Sequence, residues 1–207
     1  MIGEYRSRAP FGGREVYRCL PSTYFVALLV VSVWIFGGVE PVFGRTFMTV
    51  AEALELVFPR ADDVARSTAY LTKEQLARAR DLAGPRVPVE SALVGYYVAR
   101  RDGKVLGTAY LDTHLVRTLP ETVMIVVDPH GKVAWIEILG FKEPPDYLPP
   151  KPWIDQFPGR PLGPALSTKG AIRGITGATL TARAITAAVR RVLALHAVID
   201  GAPRGKP

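Results

Sequence analysis

The longest periodic stretch in the chain lies near its C-terminus and limits the kinds of core that can form. From Thr181 the apolar residues recur at Ile185, Ala188, Val189, Val192, Leu195 and Ile199. That is the spacing of an amphipathic helix, which must bury one stripe against another layer. Arg183, Ala187, Arg190 and Ala194 fall on the opposite face, expected to be wet, and Gly201 and Pro203 mark the stop. Immediately before this helix stands Gly174-Ile175-Thr176-Gly177-Ala178-Thr179-Leu180-Thr181. Thr176 has the chemistry of an N-cap, which makes Gly177 to Thr179 the first turn. The N–H groups of Ala178, Thr179 and Leu180 would then be free at a positive dipole end, a seat for a phosphate. Gly177 and Ala178 leave the backbone open to a bulky ligand. On spacing alone, a plain capped helix packed on a sheet is the simpler reading.

Upstream the period is that of strands. Leu93 to Arg101 and Lys104 to Leu111 flank Asp102-Gly103, a type I′ hairpin signal. Thr122 to Val127 and Lys132 to Leu139 flank Asp128-Pro129-His130-Gly131, a second hairpin. In its last strand Val133, Trp135 and Glu137 are expected on one face and Ala134, Ile136 and Ile138 on the other. Earlier, Thr49-Val50-Ala51-Glu52 and Thr72-Lys73-Glu74-Gln75 have capping-box spacing. They open two short helices, the first with Val50, Leu54 and Val57 on one face. The second has Leu76, Ala79 and Leu82 inward and ends at Gly84. The expected class is α+β, an antiparallel sheet of two hairpins with helices packed on one side.

The first 44 residues differ in kind. Arg6, Arg8, Arg14 and Arg18 precede a run from Leu20 to Val39 without charge. Twenty such residues rise about 30 Å as a helix, the thickness of a bilayer's hydrocarbon. Residues 1–21 read as a cytoplasmic basic N-terminus and 22–44 as a transmembrane anchor in the lipid bilayer. Residues 45–90 follow as a helical lead-in, and 91–200 as a domain on the periplasmic or extracytoplasmic side. A cleaved signal peptide is the competing reading, with a poor site at Val42-Phe43-Gly44.

Composition excludes several functions. The chain has a formal charge of +7 in 207 residues, but the charge is scattered, which makes nucleic acid a poor partner. The one cysteine, Cys19, forms no internal disulfide, and His114, His130 and His196 share no metal-ligand spacing. No serine or cysteine nucleophile stands in a recognisable motif. Between the hairpins, Asp112 to Glu121 is dense in groups that exchange protons. Asp112 and His114 share a face if the strand is extended, which allows an acid–base pair at a pocket rim. A polar strand end with His114 bonded to a carbonyl is the plainer alternative. A proline-rich run from Pro144 to Pro164 suits an extended linker, yet Phe141, Tyr147, Trp153 and Phe157 are costly on a mere spacer.

Thr176-Gly177-Ala178-Thr179, followed by Leu180-Thr181, resembles the Ser/Thr-Gly-Ala-Thr motif of the FMN-binding domain family. That family includes the G subunit of Rnf-type electron-transport complexes and the C subunit of sodium-pumping NADH:quinone reductases. Glu143-Pro144 resembles its Glu-Thr-Pro-Gly element, and Trp153 to Phe157 the segment that follows. The resemblance covers roughly residues 91–199. It implies FMN joined through a phosphoester to Thr179, with Thr176, Gly177, Ala178, Leu180, Thr181, Glu143 and Tyr147 around it. Phe141 or Trp153 is a further candidate to cover a ring face. Glu143 or Asp112 is a candidate to set the chemistry of the ring edge. A carboxylate there would disfavour the anionic reduced flavin. Arg173 stands where the family usually has an acidic residue and could add charge to the phosphate site. A flavin transferase for maturation and other subunits of a membrane redox complex are the implied partners. The contrasting expectation is an anchored module of the same fold that holds no flavin and serves in assembly or ligand sensing.

Overall fold

The computed structural model describes residues 45–201, so the basic N-terminus and the apolar run at 22–44 lie outside the described residues. Among the described residues no helix is long and apolar enough to cross a membrane. The elements are β1 (Arg45–Thr46), α1 (Val50–Val57), β2 (Asp63–Tyr70), α2 (Lys73–Ala83), β3 (Leu93–Arg101), β4 (Lys104–Leu115), β5 (Pro120–Val127), β6 (Val133–Phe141), a 3-10 turn (Pro145–Tyr147), α3 (Lys151–Ile154) and α4 (Thr179–Asp200). The strands form one sheet in the order β1-β6-β5-β4-β3-β2, antiparallel throughout.

Both expected hairpins are present. Asp102 and Gly103 turn with φ of 49° and 71°, the handedness a two-residue hairpin needs. In the second, the Asp128 carboxylate accepts the N–H groups of His130 and Lys132 at 2.8 and 2.9 Å, which closes the turn. The two capping boxes also form, Thr49 with Glu52 and Thr72 with Gln75.

The architecture differs from expectation in three ways. The sheet has six strands rather than four, because β1 and β2 add both edges. Residues 45–90 are therefore not only helical. The inward side of β2 is Ala65, Ser67 and Ala69, too small and polar to register as a hydrophobic alternation. Second, helices cover both faces rather than one. On one face α2 and α4 bury Tyr110, Val123, Ile125 and Val127. On the other, α1 sits over Ala99, Ala109, Met124 and Val126. Successive β5 residues thus serve two cores, which explains why that strand reads as an unbroken apolar run. Third, the β5–β6 register shifts between Val126 and Val127. This bulge brings Val133 into the same core as Ile136 and Ile138, rather than onto the face of Trp135.

Two helix faces are also revised. In α2, Leu82 is 37% exposed and Ala83 takes the inward place. In α4, Ala194 is fully buried and Arg190 is held at its base by three carbonyls. Its Nε donates to Ala83 at 2.9 Å, and Nη1 donates to Gly163 at 2.6 Å and Leu166 at 3.1 Å. Around Arg190 the face expected to be wet is partly covered by the end of α2 and the 163–166 loop, while Arg183 on the same face is exposed as expected.

The proline-rich stretch is part of the fold rather than a linker. Trp153, Ile154 and Phe157 are buried in the α4-side core, and Trp153 meets Phe157 edge-on at 5.2 Å. Val133 then donates its N–H to the Arg160 carbonyl at 3.0 Å and accepts that of Gly159 at 2.7 Å, which adds pairing beside the start of β6. Removing the Phe157 ring should therefore act as a core deletion. Phe157→Ala is expected to lower unfolding free energy by about 3–5 kcal/mol in urea titrations, where a spacer residue would show almost none.

Candidate functional site

The site is built around the start of α4. The helix begins at Thr179, and Ala178 occupies the cap position with no side-chain hydrogen bond. Thr176 is therefore not the N-cap. Gly177, at φ 84°, is outside the helical region, and the cap falls two residues after Thr176, at Ala178. A Cβ at Gly177 would meet nothing within 4 Å, so its backbone conformation, not crowding, calls for glycine. Ala178 donates its N–H to Ile175 at 3.2 Å, and the first helical bond runs from Ala182 to Ala178. The N–H groups that lack an intrahelical partner are thus those of Thr179, Leu180 and Thr181. The expected set is shifted by one residue. Thr179 and Leu180 are exposed. The Thr179 hydroxyl lies 3.4 Å from the Ile175 carbonyl, a long contact that leaves it available.

Thr181 faces inward and donates its hydroxyl to the Tyr147 carbonyl at 2.8 Å. The Tyr147 ring is half-buried, with the Arg117 guanidinium 4.9 Å from its centroid. The backbone of Arg117 belongs to the β4–β5 turn, and this turn is held by Glu143. One carboxylate oxygen of Glu143 accepts N–H groups from Arg117, Thr118 and Leu119 at 3.1, 2.8 and 2.9 Å. Burial would raise its pKa, but those three donors and the Arg117 charge outweigh it and hold the carboxyl below its ordinary range. The structure thus joins Glu143, Tyr147 and Thr181 to a turn inside the Asp112 to Glu121 stretch, the cluster that the sequence offered for a pocket rim.

Phe141 and Trp153 are not available to cover a ring face, since both are buried. Trp153 instead donates Nε1–H to the Arg173 carbonyl at 2.6 Å, while Gln156 accepts the Arg173 N–H at 2.9 Å. The Arg173 backbone is clamped on both sides, and the residue is exposed.

Asp112 and His114 do pair, in a buried network on the α4 side of the sheet. His114 Nδ1 meets Asp112 at 2.9 Å and Nε2 meets Glu121 at 3.1 Å. Arg191 of α4 grips both Asp112 oxygens at 2.7 Å. Burial alone would raise the Asp112 pKa, but the bonds and charges of His114 and Arg191 bring it down to about 2. Burial alone would lower that of His114, but its two carboxylate partners raise it to about 9. In Glu121, burial outweighs the pull of His114 and moves the carboxyl upward. One Glu121 oxygen, fully buried, has no hydrogen-bond partner. This network rules out the carbonyl-bonded alternative for His114 and ties up Asp112, which cannot serve a ligand edge. A pairing of His114 with Glu121 follows from their register across the β4–β5 hairpin. Arg191 gave no sequence signal, because a charged residue beside an apolar stripe reads as a solvated flank.

The fold and the site define an α+β domain with an exposed threonine at a helix start whose N–H donors no capping side chain occupies. Residues 119–194 match the FMN-binding domain family, a stretch that runs from the β4–β5 turn into α4 and contains the residues described above except Asp112, His114, Arg117 and Thr118. The match indicates FMN as the cofactor. No curated protein matches the chain. The residues present fit the cofactor's phosphate, because the donors at the start of α4 are not consumed by a capping side chain.

The buried network predicts a pH dependence of stability. His114, at about 9 against an ordinary 6.5, stabilises the fold fully below pH 6.5, and that stabilisation is lost as pH rises through 9. Asp112, at about 2 against 3.8, contributes above pH 3.8 and loses its contribution as pH falls toward 2. Thermal unfolding followed against pH should show Tm falling between pH 6.5 and 9. His114→Gln should be less stable at pH 6 and flatten that alkaline limb.

Proposed function

We propose that the chain is a flavoprotein in which FMN is esterified to Thr179, and that it relays electrons as one subunit of a membrane redox complex. The observation that carries the reading is the Thr176 to Thr181 motif at an uncapped helix start, inside the stretch that matches the FMN-binding domain. In this reading the N–H groups of Thr179, Leu180 and Thr181 hold the phosphate oxygens, and the exposed Arg173 adds charge. Tyr147 offers its free ring face. Glu143 acts on the β4–β5 turn, which it keeps in place under Tyr147. FMN, when bound, supplies reversible electron transfer; the protein supplies position and electrostatics.

The apolar run at 22–44 supports an anchor, with the domain outside the cytoplasm. There a free cofactor is lost by dilution, and a covalent bond removes the dissociation step. The transferase would form the bond from the Thr179 oxygen to phosphorus while the bond from phosphorus to the donor's leaving group breaks. The hydroxyl proton goes to solvent. No nicotinamide-binding motif is present in the sequence, so electrons are expected from another carrier rather than from NADH directly.

Full-length protein produced alongside a flavin transferase should have the intact mass of the chain plus FMN less one water. It should also give a fluorescent band after denaturing electrophoresis. Thr179→Val is expected to abolish that band completely. A band that stays bright in the variant places the bond elsewhere. Protein that is colourless despite a competent transferase favours the anchored module without flavin.

A further inference from the structure

A groove of about 570 Å³ lies beside the start of α4, between the end of α2, the 164–169 loop and the outer face of α4. Its volume is that of a site for a small molecule. Four cations line it: Arg86, Lys169, Arg183 and Arg190. No acidic residue lines it; Asp81 and Glu90 line an adjoining hollow instead. Among the described residues no ion pair neutralises any of the four. The apolar floor is Ala83, Val87, Pro164 and Ala187, and Ser167 and Thr168 add hydroxyls.

The arginine at the base is fixed before any ligand arrives. Arg190 spends Nε and Nη1 on the Ala83, Gly163 and Leu166 carbonyls, which leaves Nη2 with no hydrogen bond among the described residues. Gly84, at φ 93°, is what gives Nη2 its room, since a Cβ there would stand 3.3 Å from it. A guanidinium held by its other nitrogens loses little freedom on binding an anion. Thr179, Arg183, Ala187 and Arg190 lie along one side of α4, and Arg183 is about 6 Å along the axis from Thr179.

We propose that this groove binds a small, freely diffusing anion with an apolar body, a carboxylate, sulfonate or phosphate on a flat or aliphatic frame. The anion meets Arg190 at the base and Arg183 and Lys169 at the rim, and the body lies on the alanine, valine and proline floor. The occupant sits one helical turn from Thr179, beside the cofactor and not in its place. The location relative to the flavin rests on the proposed attachment at Thr179; the binding itself does not.

The test is calorimetric titration of naphthalene-2-sulfonate into the full-length protein, as Thr179→Val and as flavin-loaded protein, with naphthalene-2-sulfonamide as the neutral comparison. One saturable site is expected in both forms, with the neutral compound binding at least about tenfold more weakly. Lys169→Glu combined with Arg183→Glu, both at exposed positions, should weaken the sulfonate about tenfold. The same charge change at Arg66 and Lys104, away from the groove, should leave it within about twofold. Equal weakening by both double variants, or equal binding of the neutral compound, overturns the site. Loss of binding in the loaded form makes the groove the flavin's own seat and also overturns it. A protein that never takes up flavin but binds the sulfonate leaves this site standing while the redox reading fails.

Discussion

A helix laid across a sheet on an apolar stripe is free to slide, because dispersion contacts are nearly indifferent to a shift along the stripe. The bidentate pair between Arg191 and Asp112 removes that freedom. It joins the middle of α4 to one residue of β4, and both groups are largely out of water. A buried pair of this kind adds little net stability, since desolvation offsets much of the attraction. Its effect is on register. Once Arg191 is fixed, the start of α4 arrives at the end of the sheet where the β4–β5 turn and the C-terminal end of β6 also lie. Thr181 then reaches the Tyr147 carbonyl, and Thr179 is presented outward.

Asp112 is in turn held from its own strand. His114 bridges it to Glu121, so helix, central strand and neighbouring strand share one chain of charged hydrogen bonds. The network is not fully satisfied. The unpartnered Glu121 oxygen costs on the order of 1–3 kcal/mol if nothing else meets it. A third carboxylate, Glu143, locks the adjacent turn through three backbone donors. Asp112 and Glu143 do related work at different places. One fixes the helix against the sheet, and the other fixes the loop that carries Arg117 over Tyr147.

The elements with their own local chemistry were legible in the sequence. The hairpin turns at Asp102-Gly103 and Asp128 to Gly131, both capping boxes and the inner stripe of α4 rest on short-range rules and appear as read, while the strands run further than read, β4 to Leu115, β5 from Pro120 and β6 to Phe141. What was not legible depends on partners distant in the chain. Ala65, Ser67 and Ala69 form a strand because β3 lies beside them, not because of their own pattern. Ala194 and Arg190 are covered because α2 and the 163–166 loop fold over them. The helix cap moved from Thr176 to Ala178 because Ile175 captures the Ala178 N–H and Gly177 takes a positive φ. In the site, the threonine motif and the Asp112–His114 pair were readable from composition and spacing. Arg117 and Arg191 were not, since each acquires its role from a tertiary contact. Trp153 was misread for a related reason: an aromatic near a site looks like a ligand platform until its indole N–H is seen supporting the backbone of Arg173.

The outward position of Thr179 has a bearing on assembly. No packed side chain encloses its hydroxyl, and neither core of the domain depends on anything attached to it. Under the proposed attachment, chain collapse and cofactor loading would be separable in time. A maturation enzyme would then work on finished, native substrate, and a molecule that had missed its turn would stay competent for a later one.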